Sequence, residues 1–347
     1  LTTAYCYDPL FLEHDLPGHP ESRVRLERVL RTLTDEGLLA RMTPIQPRPA
    51  AFDLLTRIHQ EPYLAALKHL AARGGGQIDA DTYVGSRSYD VAVLAAGGVI
   101  ELVRAVLSGR TRNGIALVRP PGHHATSESG MGFCLINNIA AAAQAALDGE
   151  GSAVPALKRV MIVDWDVHHG NGTQDIFYDS SQVLFFSTHQ YPYYPGSGHW
   201  REIGDGAGRG YTVNVPLPAG VGDTGFARIY DEVLTPTAER FQPELILVSA
   251  GYDAHWDDPL AGLRLSLDGF WHLAKAVVAL ADKLCQGRLV VTLEGGYNLA
   301  VLSHGVADTC RVLLGDNAPG PDPLGPSAWP KHPIDDVLRA VRQIHGL

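Results

Sequence analysis

The sequence predicts an α/β fold, a single domain with a large, mostly parallel sheet flanked by helices. Three observations lead there. Five short runs, at 115–118, 160–163, 183–186, 245–248 and 289–293, are almost wholly apolar and rich in β-branched residues, as strands buried on both faces are. Longer segments between them repeat apolar residues every three or four positions, the period of an amphipathic helix. The two kinds of segment alternate, and strand, helix, strand alternation builds parallel sheets through right-handed crossovers.

Taken in order, the first long helix is expected over roughly 21–36, with Gly37 at its C-cap because glycine adopts the left-handed conformation that closes a helix. The uncharged, Ala-rich stretch 129–147 contains Asn137, Asn138 and Gln144, which suits a buried helix better than a membrane span. Phe226, Ile229, Tyr230, Val233 and Leu234 mark a further helix. Phe270, Leu273, Val277 and Leu280 mark another, with Asp268 as its expected N-cap. Composition turns Pro- and Gly-rich at 315–333, which predicts a surface segment before a last helix at 334–344. No internal repeat and no mid-chain linker breaks the pattern, so residues 1–347 are read as one domain.

With 45% hydrophobic and 19% charged residues, no part of the chain has the composition of a disordered tail. The formal charge of -10 argues against general nucleic-acid binding, which needs a basic face to displace counterions. It tilts the partner towards a cationic molecule, although acidic balance is also a common device for keeping soluble proteins dispersed. Cys6, Cys134, Cys285 and Cys310 are far apart and form no C-x-x-C pair, so they are read as core residues in a reducing compartment. The first residues carry Asp8, Glu13 and Asp15 and lack the basic-then-apolar pattern of a secretory signal. A soluble, cytoplasmic protein with no membrane partner is the expectation.

Residue types suited to metal and acid–base chemistry collect directly after the predicted strands, where open parallel sheets bind ligands. Four segments show this: 119–124 (RPPGHH), 164–172 (DWDVHHGNG), 249–253 (SAGYD) and 294–297 (EGGY). Asp166 and His168 are two apart, so in an extended chain they point to one side and can grip one ion, with Asp253 as a third ligand. An Asp, His, Asp set leaves a fourth position free, as catalytic zinc sites do; its oxygen and nitrogen donors do not exclude iron(II). Taken alone, Asp166 with His168 fits a capped polar loop equally well, His123-His124 fits a hydrogen-bonded structural pair, and Tyr297 fits a packing residue. Together they supply a metal, an imidazole base near neutral pH and a hydroxyl for an oxyanion.

These four motifs, with His19-Pro20-Glu21 near the start, resemble the signature of histone deacetylases and their bacterial relatives, especially the class II branch, within the arginase/deacetylase superfamily. The resemblance implies zinc on Asp166, His168 and Asp253, with His124 as general base and acid and His123 acting mainly electrostatically. It implies that Tyr297 polarises the substrate carbonyl, that Asp164 hydrogen-bonds His123, and that Asn171 meets His124. Class I relatives have Asp where this chain has Asn171, and an uncharged partner raises an imidazole's pKa less than a carboxylate does. By the same likeness a potassium ion would be held through backbone oxygens at Asp164, Asp166, His168, Ser187 and Thr188.

Gly132, Phe133, Tyr194 and Leu260 would wall a tunnel for acyl-lysine, although Phe133 and Leu260 equally suit the core. An acidic gatekeeper of the acetylpolyamine-specific relatives is absent at Leu260, while His255, Trp256, Asp257 and Asp258 would add an acidic rim. The expected reaction is hydrolysis of an N-acyl, chiefly acetyl, amide to acetate and a free amine. The expected substrate is an acetyl-lysine peptide or protein, or an acetylated polyamine. An arginase-like dimanganese enzyme is the second reading, but its D-x-H-x-D order differs from Asp164-Trp165-Asp166-Val167-His168. A silent acyl-lysine-binding scaffold is the third, and intact Tyr297, His123 and His124 weigh against it. The loop 190–210, rich in Tyr, Pro and Gly, would form the rim of the site or an oligomer interface.

Overall fold

A computed structural model describes residues 2–150, 154–329 and 332–347. Its strands are β1 (Thr3–Cys6), β2 (Thr43–Ile45), β3 (Gly75–Gln77), β4 (Tyr83–Gly85), β5 (Asn113–Ala116), β6 (Val160–Asp164), β7 (Val183–Gln190), β8 (Thr212–Leu217), β9 (Leu245–Ala250) and β10 (Leu289–Leu293). Eight of them form one sheet in the order β2-β1-β5-β10-β9-β6-β7-β8, every neighbouring pair parallel. Every residue of β5 through β10 is buried, which is why β6, β9, β10 and the first half of β7 read as apolar runs without alternation, whereas β8 is broken up by Asn214 and Pro216. The remaining two strands, β3 and β4, make a small antiparallel ribbon.

Helices flank the sheet. Helix Ser88–Leu107 packs against Asn138–Asp148, while Arg23–Asp35, Leu299–Leu314 and Leu267–Cys285 pack in succession. The buried apolar side chains join into one continuous core. All four cysteines are buried and free. Among the described residues, no helix is long and apolar enough to cross a membrane.

Several boundaries differ from the sequence reading, each for a local reason. The first helix begins at Arg23 and ends as expected at glycine: Gly37 has φ +67°, and the Leu38 and Gly37 amides donate to Leu33 and Thr34 carbonyls, the double bond of a Schellman close. The strand expected at 115–118 pairs only over Asn113–Ala116, and 117–118 lead beyond the ladder towards the 119–124 loop. Residues 129–137 are not helical, because Gly132 and Phe133 are left-handed at φ +54° and +70°; the helix starts at Asn138, capped by the Asn137 side chain on Ala140 N. Ser266, not Asp268, caps Leu267–Cys285, its hydroxyl accepting from Gly269 N, and Asp268 sits within the first turn. The 226–234 helix is interrupted by a π turn over Tyr230–Leu234, just before Pro236, whose ring cannot follow a regular α turn. The last helix spans Asp335–His345, and the preceding segment 315–329 is mostly exposed coil, while 330–331 lie outside the described residues.

Candidate active site

The four polar segments all fall at the carboxyl ends of β5, β10, β9 and β6, which are consecutive in the sheet. Parallel strands bring their C-terminal loops to one edge, so residues more than a hundred positions apart meet there.

Asp166, His168 and Asp253 place one ligand atom each within 4.8 Å of one another. His168 Nδ1 lies 3.2 Å from Asp166 Oδ1 and 3.4 Å from Asp253 Oδ2. A tetrahedral ion with ligands at about 2.0–2.2 Å spaces them roughly 3.3–3.6 Å apart, so the observed separations fit a zinc-sized divalent cation. Asp253 Oδ2 is buried without a hydrogen-bond partner, an acceptor left available for such an ion. The other carboxylate oxygens are engaged: Val167 N donates to Asp253 Oδ1 at 2.9 Å, and Gly295 N donates to Asp166 Oδ2 at 2.8 Å. A side chain at Gly295 would collide with both carboxylates, so only glycine permits this approach.

His123 and His124 stand side by side, ring centroids 4.0 Å apart, yet their environments drive them in opposite directions. Burial alone would lower His123. The Asp164 and Asp166 carboxylates override it and push the imidazole up to about 10, with Nδ1 2.9 Å from Asp164 Oδ2. His124 is held well below the usual range by burial first and then by the neighbouring imidazoles of His123 and His168. Its Nδ1 is 2.7 Å from Asn171 Oδ1, while Asn171 Nδ2 turns to Met131 Sδ and the His124 carbonyl. The Asn171 oxygen therefore accepts, Nδ1 carries the hydrogen, and Nε2 keeps a free lone pair. The pair thus joins a fixed positive charge to a neutral base.

Both histidines open onto a cleft of about 240 Å³ that Asp166, His168 and Tyr297 also line. Gly132, Phe133, Tyr194 and Leu260 line it, together with Asp81, Pro121, Tyr193 and Gly295. Phe133 meets the Tyr297 ring edge-on at 5.8 Å, and Tyr194 meets the His124 ring at 5.2 Å. Ser187 and Thr188 lie on β7 behind this cluster. Ser187 pairs with Asp164 across the β6–β7 ladder, and the Thr188 hydroxyl donates to the Asp164 carbonyl at 3.4 Å.

Residues 19–313 match the histone deacetylase domain. The chain belongs to the histone deacetylase family. It is 42% identical over 302 residues to a probable deacetylase of Archaeoglobus fulgidus, covering 86% of this chain and 82% of that one. It is 40% identical over 310 residues to the histone deacetylase-like amidohydrolase of Pseudomonas aeruginosa, covering 88% and 80%. The crystal structure of the HDA15 HD domain superposes with a TM-score of 0.88 at 36% identity, covering 99% of this chain and 94% of that one. The protein is thus an enzyme of the deacetylase and amidohydrolase type.

Three features of this deacetylase-family site were not anticipated from sequence. Glu294 is buried, and its Oε2 accepts from Gly122 N at 2.7 Å and His123 N at 3.2 Å, fixing the histidine loop; burial pushes its carboxyl up to about 7. Arg25 donates to the Gly296 and Glu294 carbonyls at 2.8 and 2.6 Å and lies 5.0 Å from the Tyr297 ring, while Glu21 and Arg119 form a buried bidentate pair beside it. Asp258 and His255 are buried, contrary to the expected acidic rim: Asp258 turns inward to bind backbone amides, and Asp257 is the one exposed member of 255–258. The exposed residues that line the cleft are instead Asp81 and Tyr193, the latter from the 190–210 loop.

Proposed function

We propose that the chain is a single catalytic domain that hydrolyses an N-acetyl amide with zinc as its metal, and that acetyl-lysine is its substrate class. The observation that carries this reading is the shared cleft, in which a neutral His124 faces the same space as the Asp166, His168 and Asp253 site and the Tyr297 ring. A zinc ion on those three ligands would polarise the amide carbonyl and lower the pKa of a water towards about 7.

The protein's own groups would do the rest. His124 Nε2 takes a proton from the attacking water as its oxygen bonds to the carbonyl carbon. The Tyr297 hydroxyl donates a hydrogen bond to the developing oxyanion, and burial, which holds that phenol well above its ordinary pKa, keeps it a donor. Protonated His124 then delivers its proton to the amide nitrogen as the carbon–nitrogen bond breaks, giving acetate and a free amine. Cationic His123 adds a favourable field for the negative intermediate. Phe133 and Tyr194 suit an aliphatic stem, and the uncharged Leu260 favours acyl-lysine over a polyamine carrying further cations. The potassium site assigned to Asp164, Asp166, His168, Ser187 and Thr188 gains support from the adjacency of those segments across β6 and β7.

The test is steady-state hydrolysis of an acetyl-lysine peptide beside an acetylated polyamine, with Tyr297→Phe as control. Peptide turnover that falls by about 10²–10³ in Tyr297→Phe is the expected result. Near-wild-type turnover by folded Tyr297→Phe removes the tyrosine from the mechanism, and preference for the polyamine replaces the substrate class.

A further inference from the structure

Tyr297 follows two glycines, Gly295 and Gly296, the second at φ +118°, so its own backbone does little to fix it. Its position must be imposed from outside. Arg25 holds one side of this turn through the Gly296 and Glu294 carbonyls. On the amide side Gly295 N donates to Asp166 Oδ2, and the next two amides with a side-chain acceptor, those of Tyr297 and Asn298, share one other carboxylate. Asp258 Oδ2 accepts from Tyr297 N at 2.8 Å and Asn298 N at 3.2 Å, and its Oδ1 accepts from Leu260 N at 2.9 Å. Asn298 reinforces the join, its Nδ2 reaching Asp257 O at 3.0 Å, while its Oδ1 caps the helix Leu299–Leu314. Asp258 is 6% exposed and does not line the cleft, so it acts through the loops it binds. Burying a carboxylate is costly unless its lone pairs are used, and these three amides use them.

We infer that Asp258 is a positioning residue for Tyr297, pinning the tyrosine's turn to the loop that carries the tunnel-wall residue Leu260. The inference rests on the catalytic role proposed above for Tyr297. Asparagine is nearly the same shape but carries an N–H₂ on one branch, so Asp258→Asn must set a donor against a backbone donor at one of the two loops. A misplacement near 1 Å costs about 10²-fold in rate, so Asp258→Asn should lower kcat by roughly 10- to 100-fold.

A double-mutant cycle separates positioning from general structural damage. Wild type, Asp258→Asn, Tyr297→Phe and the double variant are assayed on one acetyl-lysine peptide, with Asp258→Glu replacing Asp258→Asn if the latter does not fold. The expected result is a large loss in the wild-type background and less than about threefold in the Tyr297→Phe background, since a tyrosine without its hydroxyl cannot lose more by being misplaced. Equal losses in both backgrounds, or unchanged kcat in Asp258→Asn, overturn the inference. Near-wild-type turnover by Tyr297→Phe alone overturns the catalytic reading of the tyrosine, and this inference with it.

Discussion

Glu21→Gln should destabilise the fold by about 3–5 kcal/mol, because it strands a guanidinium in the interior. Glu21 and Arg119 are each 0% exposed; Glu21 Oε1 accepts from Arg119 Nε at 2.5 Å and Arg25 Nη1 at 3.0 Å, and Oε2 accepts from Arg119 Nη2 at 2.7 Å. Unfolding entropy of about 2.1 cal/mol/K per residue gives about 0.7 kcal/mol/K for 347 residues, so Tm should fall by about 4–7 °C. Acid supplies an independent check. Burial would raise the Glu21 carboxyl, but Arg119 and then Arg25 bring it down to about 2 from 4.5. A carboxyl depressed on folding stabilises the native state above its unfolded pKa, and that stability is lost as pH falls from about 4.5 to about 2. The full shift is worth about 3 kcal/mol. Melting curves of both proteins at pH 7, then in steps to pH 2.5, should show a gap that narrows through this window. A Tm within 1 °C of wild type at pH 7, or a gap that does not depend on pH, would refute the assignment of the pair as a stabilising contact.

The site yields two further expectations. If zinc is the metal, as proposed above, Asp253→Asn should reduce it, measured by elemental analysis of dialysed protein, from about one ion per chain to less than about a tenth. Full metal retention removes Asp253 from the ligand set, and two manganese ions in the wild-type chain would restore the arginase-like reading. Asn171→Asp places a carboxylate at the position now 2.7 Å from His124 Nδ1. It should raise the pKa of the imidazole, which burial and His123 now hold low, and so move the acid limb of kcat/KM to higher pH by about one unit. An unmoved limb means that His124 is not the titrating base.

The residues that meet the cleft were legible because they stand at the ends of apolar runs, and a run buried on both faces leaves its next polar residue at the sheet edge. His123, Asp166, His168 and Tyr297 are examples from three strands, and each lines the cleft. The strands that escaped are those whose composition hides them. β2 contains Pro44 and β8 contains Pro216, and both are edge strands, where a missing amide costs no ladder bond on the open side. β1 is only four residues long, and the β3–β4 ribbon begins with two glycines.

Support for the site was illegible for a different reason. Apolar periodicity reports burial of a residue by its neighbours along the chain, whereas burial of a charge depends on a partner that the sequence does not place beside it. Glu21 is 98 positions from Arg119, Glu294 is 172 from the Gly122 amide it binds, and Asp258 is 39 from the Tyr297 amide. Read locally, Asp258 beside Asp257 is half of a solvated acidic pair, and only the fold turns one inward and leaves the other out. The cleft is therefore written in motifs, while the rigidity that would make those motifs competent resides in charged residues whose partners lie far away along the chain. Substitution at Asp258 should accordingly slow turnover although the residue lines no part of the cleft.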